Sequence, residues 1–317
     1  MQQIIQHQAV IFSIFSAIIL FLYGLGAFSN ELRQTAGDKL ESLMSKLTTN
    51  RITSFVVGLI ATAVIQSSTA VATLAVSLID SGILTFRGAI AIMLGSYVGT
   101  TLTAWMVSFK LAGIGPFFIV IGALIGLLPW RVKIFGKALF YFGFIFFSLD
   151  LISSSLQPLK ESQYLADFLL YTNTPLKGIL VGILMTAIMQ SSSVVIGLTV
   201  IFVQQGILTP EASIPVVLGA TIGTTVTGLF ATLNMNWTAK KAAWCSTTIN
   251  VLGVTLLYPF ITPFTQLVMS LAPNDAMVVA VAHLTYSLCL VSVFLVFLNP
   301  FMRAVDRILG SGPAKAG

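Results

Sequence analysis

Two stretches of the chain repeat the same polar residues inside long apolar runs: QSSTAVATLAVSLIDSGILT at residues 66–85 and QSSSVVIGLTVIFVQQGILT at residues 190–209. Around them, residues 57–103 align with residues 181–227 without a gap, and 21 of the 47 positions are identical. The identities include Gln-Ser-Ser, Gly-Ile-Leu-Thr and a later Gly-Thr-Thr, which shared hydrophobicity alone does not produce. The chain therefore contains an internal duplication.

The composition places this duplication in a membrane protein. Of 317 residues, 56% are hydrophobic and 8% charged, whereas about 25% of the residues in a soluble domain are charged. Because lipid offers backbone groups no hydrogen-bond partners, the recurring apolar stretches must be helices. The first ten residues contain no Lys or Arg, unlike a secretory signal peptide. These features argue against an enzyme and predict apolar segments at residues 9–29, 52–81, 88–108, 112–129, 134–156, 177–205, 212–233, 241–260 and 277–298.

Two of these segments, 52–81 and 177–205, are too long for one crossing of about twenty residues and carry Gln-Ser-Ser at their middle. Each is predicted to be a helical hairpin that breaks at this motif. One span, a hairpin and two further spans make an odd number of crossings per repeat, so the repeats at 1–130 and 131–260 should have inverted topology. Residues 261–317 are predicted to form a C-terminal helix and a short tail. Inverted repeats with broken helices indicate a secondary transporter.

The glycines beside the Gly-Thr-Thr motifs complete the predicted fold. Gly95 and Gly99, and Gly219 with Gly223, lie inside their spans and could relax the helix to free carbonyl groups. Close helix packing through glycines four residues apart is the alternative. The predicted fold is thus an all-α polytopic membrane protein with two inverted-topology repeats, each with a helical hairpin and a discontinuous helix, plus a C-terminal helix.

The basic residues predict the orientation. Of the sixteen Lys and Arg residues, thirteen fall on one side of this topology, and only Lys110, Lys160 and Lys177 fall on the other. By the positive-inside rule the richer side is cytoplasmic, which places the N-terminus of this cell-membrane protein outside and the C-terminus inside. The same rule explains the net charge of +6 without nucleic acid as a partner. Residues 31–51, which mix charged and apolar residues, are predicted to form an interfacial helix.

The Gln-Ser-Ser motifs are candidates for binding an anion. Ser67 or Ser68 can cap the returning half-helix, whose positive end and free N–H groups then point at the membrane centre. Two such ends converging from the two repeats form an anion site. Interhelical packing of small hydroxylated residues is the alternative. No basic residue lies next to either motif, so we expect cations to accompany the anion, as in a Na⁺-coupled symporter.

The paired motifs resemble those of the type II sodium–phosphate cotransporters and their bacterial relatives. The likeness covers about residues 10–260 and rests on Gln-Ser-Ser-(Thr/Ser), Gly-Ile-Leu-Thr and Leu-Gly-x-x-(Val/Ile)-Gly-Thr-Thr, all present twice. It implies inorganic phosphate as the substrate and Na⁺ as the coupling ion, with alternating access and no other cofactor. It implies phosphate contacts from both tips, here Gln66, Ser67, Ser68, Gln190, Ser191 and Ser192. The corresponding candidates for Na⁺ are Thr69, Thr100, Thr101, Ser193, Thr224 and Thr225.

Three further positions bear on this resemblance. Asn250 is similar to a family asparagine and is expected to support the site through hydrogen bonds. Tyr97 and Thr221 stand where family members often have asparagine, so one polar contact per repeat differs.

Alternatives remain open at this point. The substrate could be another oxyanion such as sulfate or a phosphonate, or a dicarboxylate. The polar clusters could instead line an anion channel, or the protein could be an assembly factor without cargo. The lipid bilayer is an expected partner, and assembly as a homo-oligomer is left open.

Overall fold

A computed structural model describes residues 2–46, 48, 50–109, 113–128, 132–159 and 174–310. Within these ranges the chain is helical and contains no strand, which confirms the all-α prediction. Short 3₁₀ turns follow at 157–159 and 258–260. The α-helices are α1 (Gln2–Lys46), α2 (Arg51–Ile65), α3 (Ser68–Asp80), α4 (Phe86–Ser108), α5 (Gly115–Gly126), α6 (Val132–Leu156), α7 (Pro175–Met189), α8 (Ser192–Gln204), α9 (Pro210–Ala231), α10 (Trp237–Leu257), α11 (Ile261–Leu271), α12 (Asp275–Val296) and α13 (Leu298–Leu309).

Length and composition identify the membrane-crossing stretches. Large apolar side chains such as Phe12, Phe15 and Ile19 are exposed along α1, as expected of a surface that faces lipid. The chain is therefore a multi-pass membrane protein. Among the described residues, the helical stretches long and apolar enough to cross are Ala9–Gly37, Phe86–Ser108, Lys133–Leu156, Pro210–Ala231, Trp237–Leu271 and Asp275–Val296.

Each predicted hairpin contains two short helices. The pairs are α2 with α3, and α7 with α8, and their helices have 15 and 13 residues in both repeats. At 1.5 Å per residue these helices reach about 20–23 Å, whereas the hydrocarbon core is about 30 Å thick. Each half-helix is thus shorter than the hydrocarbon core.

Glycines bring the first helix of each hairpin against the helix that follows the hairpin. A Cβ atom at Gly58 or Gly95 would overlap the backbone of α4 or α2, respectively, and Gly182 and Gly219 occupy the same positions between α7 and α9. The structure corrects the prediction of discontinuous helices, since α4 and α9 run unbroken through their glycines. The carbonyl groups stay in the helices, and the glycines serve close packing.

The linking helix of the first repeat also differs from the prediction. Residues 31–46 continue α1, which runs without interruption for 45 residues. Leu40 and Met44 near its end are buried in the core formed with α2, α3 and α4. Burial of these side chains in the protein explains why this stretch is not a separate interfacial helix.

The C-terminal part contains more helix than the sequence predicted. Besides α12, it includes α11 and the amphipathic α13, whose Leu298, Met302 and Val305 are buried. An ion pair between Lys241 of α10 and Asp306 fixes α13 to the body of the protein. Lys110 and Lys160, used in the orientation argument, lie outside the described residues. The inverted orientation of the repeats, their boundaries and the placement of the termini stay predictions.

Candidate functional site

Each hairpin breaks at a glutamine in the left-handed backbone conformation. Gln66 has φ 58° and Gln190 has φ 53°, and no other non-glycine residue in the described ranges has a positive φ. Such a conformation costs of order 1–3 kcal/mol in a side-chain-bearing residue and persists only where the surrounding structure imposes it. The two tips therefore share the same local strain, at the point where each chain turns back.

A serine stands at the N-cap of each returning helix. Ser67 Oγ accepts a hydrogen bond from the Ala70 N–H at 3.2 Å, which confirms the predicted cap of α3. Ser191 is the N-cap of α8, and its side chain makes no capping bond. The first turns of both helices carry N–H groups without helical partners and the positive end of a helix dipole. Both tips can therefore attract an anion.

Both tips line one cavity of about 380 Å³, here called the tip cavity. One water molecule accounts for about 30 Å³ of the liquid, so the cavity can hold an oxyanion together with several waters. All six residues predicted to contact phosphate line it, and so do two from the predicted sodium set. The lining from the hairpins comprises Gln66, Ser67, Ser68, Thr69, Ala70, Gln190, Ser191, Ser192, Ser193 and Val194.

The two glutamines differ in their surroundings. Gln66 is buried, its Nε2 donates to the Ala63 carbonyl at 2.6 Å, and its Oε1 accepts from Thr103 Oγ1 at 2.9 Å. Gln190 is exposed, and no side-chain hydrogen bond holds it in the described structure. The first tip is thus fixed by its own hydrogen bonds, while the amide of the second is available to a ligand.

A second cavity of about 50 Å³, the interior chamber, lies behind the tips. Ser68, Thr69 and Ser192 line both cavities, so these residues form their shared wall. The volume suffices for an ion or a few water molecules. Its other polar lining residues are Ser96, Tyr97, Thr100, Thr221, Thr224, Thr225, Thr227, Ser246, Asn250, His283, Tyr286 and Ser287.

Four of the six predicted sodium ligands line the interior chamber, namely Thr69, Thr100, Thr224 and Thr225. The Thr100 hydroxyl donates to the Ser96 carbonyl at 2.7 Å, and those of Thr224 and Thr225 donate to carbonyls in α9. A hydroxyl that donates a hydrogen bond to a carbonyl still has oxygen lone pairs that can bind a cation.

The remaining two candidates lie elsewhere. Ser193 lines the tip cavity only. Thr101 lines neither cavity, and its hydroxyl donates to the Val98 carbonyl at 2.8 Å.

Asn250 and the two positions that depart from the family pattern meet in the interior chamber. Asn250 is buried, and its Nδ2 donates to the Ser246 carbonyl at 3.0 Å. The Tyr97 hydroxyl and Ser246 Oγ are 2.7 Å apart. Thr221 also lines the chamber. At positions 97 and 221, where family members often have asparagine, the hydroxyls of Tyr97 and Thr221 thus keep this wall of the chamber polar.

Helix α12, which lies outside the duplication, contributes residues that the predicted site does not include, among them His283, which the sequence suggests is a packed, hydrogen-bonded residue. His283 is 3% exposed and lines the interior chamber, and its Nδ1 has no hydrogen-bond partner among the described atoms. Tyr286 and Ser287 line the same wall. A single histidine in an otherwise apolar span was the available signal, because ionisable residues within membrane helices are functional candidates.

One face of α1 forms the remaining wall of the tip cavity. Gly26, Ser29, Asn30 and Arg33 line it and follow the i, i+3, i+4, i+7 spacing of one helix face. Arg33 is the one charged residue of the described lining. The expectation that no formal positive charge lies near the anion site is therefore wrong. Arg33 falls in the predicted interfacial stretch 31–51 because the apolar segment ends at residue 29, but α1 continues beyond that residue.

Comparison with known proteins identifies relatives over most of the chain. The family model described as Na⁺/Pi-cotransporter matches residues 20–154 and again residues 151–272. The two matches cover both copies of the duplicated motifs. No solved structure matches the chain.

Individual relatives agree with the family match. The chain is 31% identical to the "Uncharacterized protein YqeW" of Bacillus subtilis (strain 168), over 96% of this chain and 99% of that protein. It is 27% identical to the "Putative inorganic phosphate export protein YjbB" of Escherichia coli (strain K12), over 94% of this chain and 55% of that protein. Human "Sodium-dependent phosphate transport protein 2B" is 35% identical over 31% of this chain and 15% of its own length.

Proposed function

Because this chain belongs to the Na⁺/Pi-cotransporter family, we propose that it transports inorganic phosphate across the cell membrane in symport with Na⁺. The family is one of transporters and not a class of enzymes. The observation that carries the proposal is that both Gln-Ser-Ser tips, each at a helix N-terminus, line one cavity. Hydroxyl groups, side-chain amides and the free N–H groups at helix N-termini can all donate hydrogen bonds to phosphate oxygens.

The interior chamber is the proposed position of Na⁺. Hydroxyl oxygens with free lone pairs are hard ligands that suit small cations, and Thr100, Thr224 and Thr225 present them there. Because Ser68 and Ser192 line both cavities, a cation in the chamber lies next to an anion in the tip cavity. The attraction between the two ions supplies the coupling, since each stabilises the other in a medium of low dielectric constant.

Alternating access is proposed for the transport step. The two hairpins have the same lengths, the same left-handed break and the same glycine contacts to the next helix. In the proposed inverted arrangement, one hairpin and its neighbours move relative to the other and open the tip cavity to each side in turn. The N-terminus is proposed to be extracytoplasmic and the C-terminus cytoplasmic, by the positive-inside rule.

Uptake of labelled phosphate into proteoliposomes with an inward Na⁺ gradient tests this function. We expect uptake above that seen when K⁺ replaces Na⁺, and its loss when an ionophore dissipates the gradient. Labelled sulfate and a labelled dicarboxylate in the same assay test the substrate class. Uptake of another anion without phosphate uptake would refute phosphate as the substrate, and phosphate uptake that ignores Na⁺ would refute the coupling.

An export function and a channel are the two competing proposals. The name of YjbB describes export, and the same carrier can run in that direction when the gradients favour it, because a gradient sets the direction of a reversible symporter. A channel would give phosphate currents that persist without Na⁺. Current recordings across planar bilayers, with Na⁺ replaced by K⁺, separate a channel from a symporter.

A further inference from the structure

Arg33 lines the tip cavity, and no acidic side chain that the structure describes neutralises its charge. Among the side chains that the structure describes, Arg33 forms no ion pair. The nearest acid along α1 is Glu31, which is 9% exposed and pairs with Lys137 at 3.7 Å. Every other residue on the described lining of the tip cavity is uncharged. A bound anion would therefore meet one uncompensated positive charge.

We propose that Arg33 binds the oxyanion directly and is the residue that sets the affinity of the tip cavity for phosphate. This inference rests on the proposed function. The hydroxyls of Ser67, Ser68, Ser191 and Ser192 and the two helix ends offer partial charges only. The guanidinium group carries a full charge and a planar set of donors that matches two phosphate oxygens.

The exposure of Arg33 is consistent with this role. In the described structure its side chain is exposed, so the guanidinium group stays hydrated while no anion is bound and no buried charge has to be tolerated. Ser192, at the start of α8, is by contrast buried, with 6% of its surface exposed. Arg33 can thus meet the anion at the exposed side of the cavity while Ser192 contacts it at the buried side.

Kinetics of phosphate uptake with an Arg33 series test the proposal. R33Q removes the charge and the fork, R33K keeps the charge without the fork, and K39Q removes an exposed charge from the same helix outside the cavity lining. A charge-assisted hydrogen bond lost at an exposed site changes affinity by about tenfold. We expect R33Q to raise the KM for phosphate about tenfold with kcat within twofold of the wild type, R33K to raise it less, and K39Q to leave it unchanged.

Equilibrium binding of labelled phosphate to the purified protein in detergent makes the test independent of transport. The same order of affinities, wild type and K39Q first, then R33K and then R33Q, is expected. A Kd and KM of R33Q within twofold of the wild type would overturn the proposal, as would an equal loss in K39Q. If the wild type binds phosphate but does not transport it, the proposed function fails, while the order of the Arg33 series still decides the role of Arg33.

Discussion

Replacing Ser68 or Ser192 with alanine should weaken phosphate binding to the same degree. These residues open the first turns of α3 and α8, and both line the tip cavity and the interior chamber. Among the described residues neither hydroxyl forms a side-chain hydrogen bond, so its loss breaks no internal hydrogen bond. The expected defect therefore lies in ligand binding and not in folding.

The magnitude follows from the hydrogen bond that the anion loses. A hydrogen bond to a charged group contributes about 1.5–3 kcal/mol, and a factor of ten in Kd corresponds to about 1.4 kcal/mol. S68A and S192A should each raise the Kd for phosphate about ten- to a hundredfold. Since no internal bond is lost, the free energy of unfolding should change by less than about 0.5 kcal/mol. If Na⁺ and phosphate stabilise each other, linkage requires the apparent Na⁺ affinity at fixed phosphate to fall too.

The assay is phosphate and Na⁺ dependence of uptake, normalised to the protein present in the membrane. Ser77→Ala is the matched control, because Ser77 is exposed on α3 and lines neither cavity. Ser213, which the sequence places outside the site, is unsuitable because its buried hydroxyl donates to the Pro210 carbonyl at 2.5 Å. Wild-type phosphate dependence of both S68A and S192A would refute the paired-tip arrangement, even in a functional phosphate carrier.

Three further predictions address packing, the first tip and topology. G182A should destabilise the protein by about 1–3 kcal/mol because its Cβ would overlap the Val216 carbonyl, whereas G37A should not, as thermal unfolding in detergent will show. Gln66→Leu should cost about 1–3 kcal/mol in the same assay because it leaves the buried Thr103 hydroxyl without its acceptor; an unchanged melting temperature would contradict that structural role. In a cysteine-free background, a cysteine at position 162 should react with an impermeant reagent from outside, and a cysteine at position 311 should not. The reverse pattern would refute the proposed orientation. Both positions lie outside the described residues.

The hairpins could be predicted from the sequence because the duplication identifies the polar breaks as structural, which hydropathy alone does not do. A polar break in one apolar run can be a packing feature, but the same Gln-Ser-Ser at the same place in two copies indicates a shared structural requirement. The conformation of the break was not predictable from local propensity. Glutamine rarely adopts a positive φ, yet Gln66 and Gln190 both do so, each at the C-cap of the first helix of its hairpin.

The unpredicted part of the site lies where segments defined by hydropathy end or where the duplication does not reach. Ser29 ends the predicted apolar segment 9–29, and Asn30 and Arg33 follow it. Only the helical spacing that continues through these residues would have placed them on one face. His283 lies in α12, outside both copies, so it has no counterpart in the duplication that would mark it. Whether polar residues in such positions line the site depends on tertiary packing, which composition does not reveal.

The proposed alternating access gives a physical meaning to a difference between the two repeats. Carried back to the helices that precede the hairpins, the offset of 124 residues pairs Ser29 of α1 with Ser153 of α6, and Arg33 of α1 with Gln157 in the 3₁₀ turn that follows α6. The α1 residues line the tip cavity, whereas Ser153 and Gln157 both hydrogen-bond to Gln205 at the end of the second hairpin. The corresponding positions of the two repeats thus differ. Those of the first repeat line the tip cavity, whereas those of the second repeat are hydrogen-bonded to the end of their own hairpin. Exchange of these two arrangements is the motion that inverted repeats would need to present the same tips to the opposite side of the membrane.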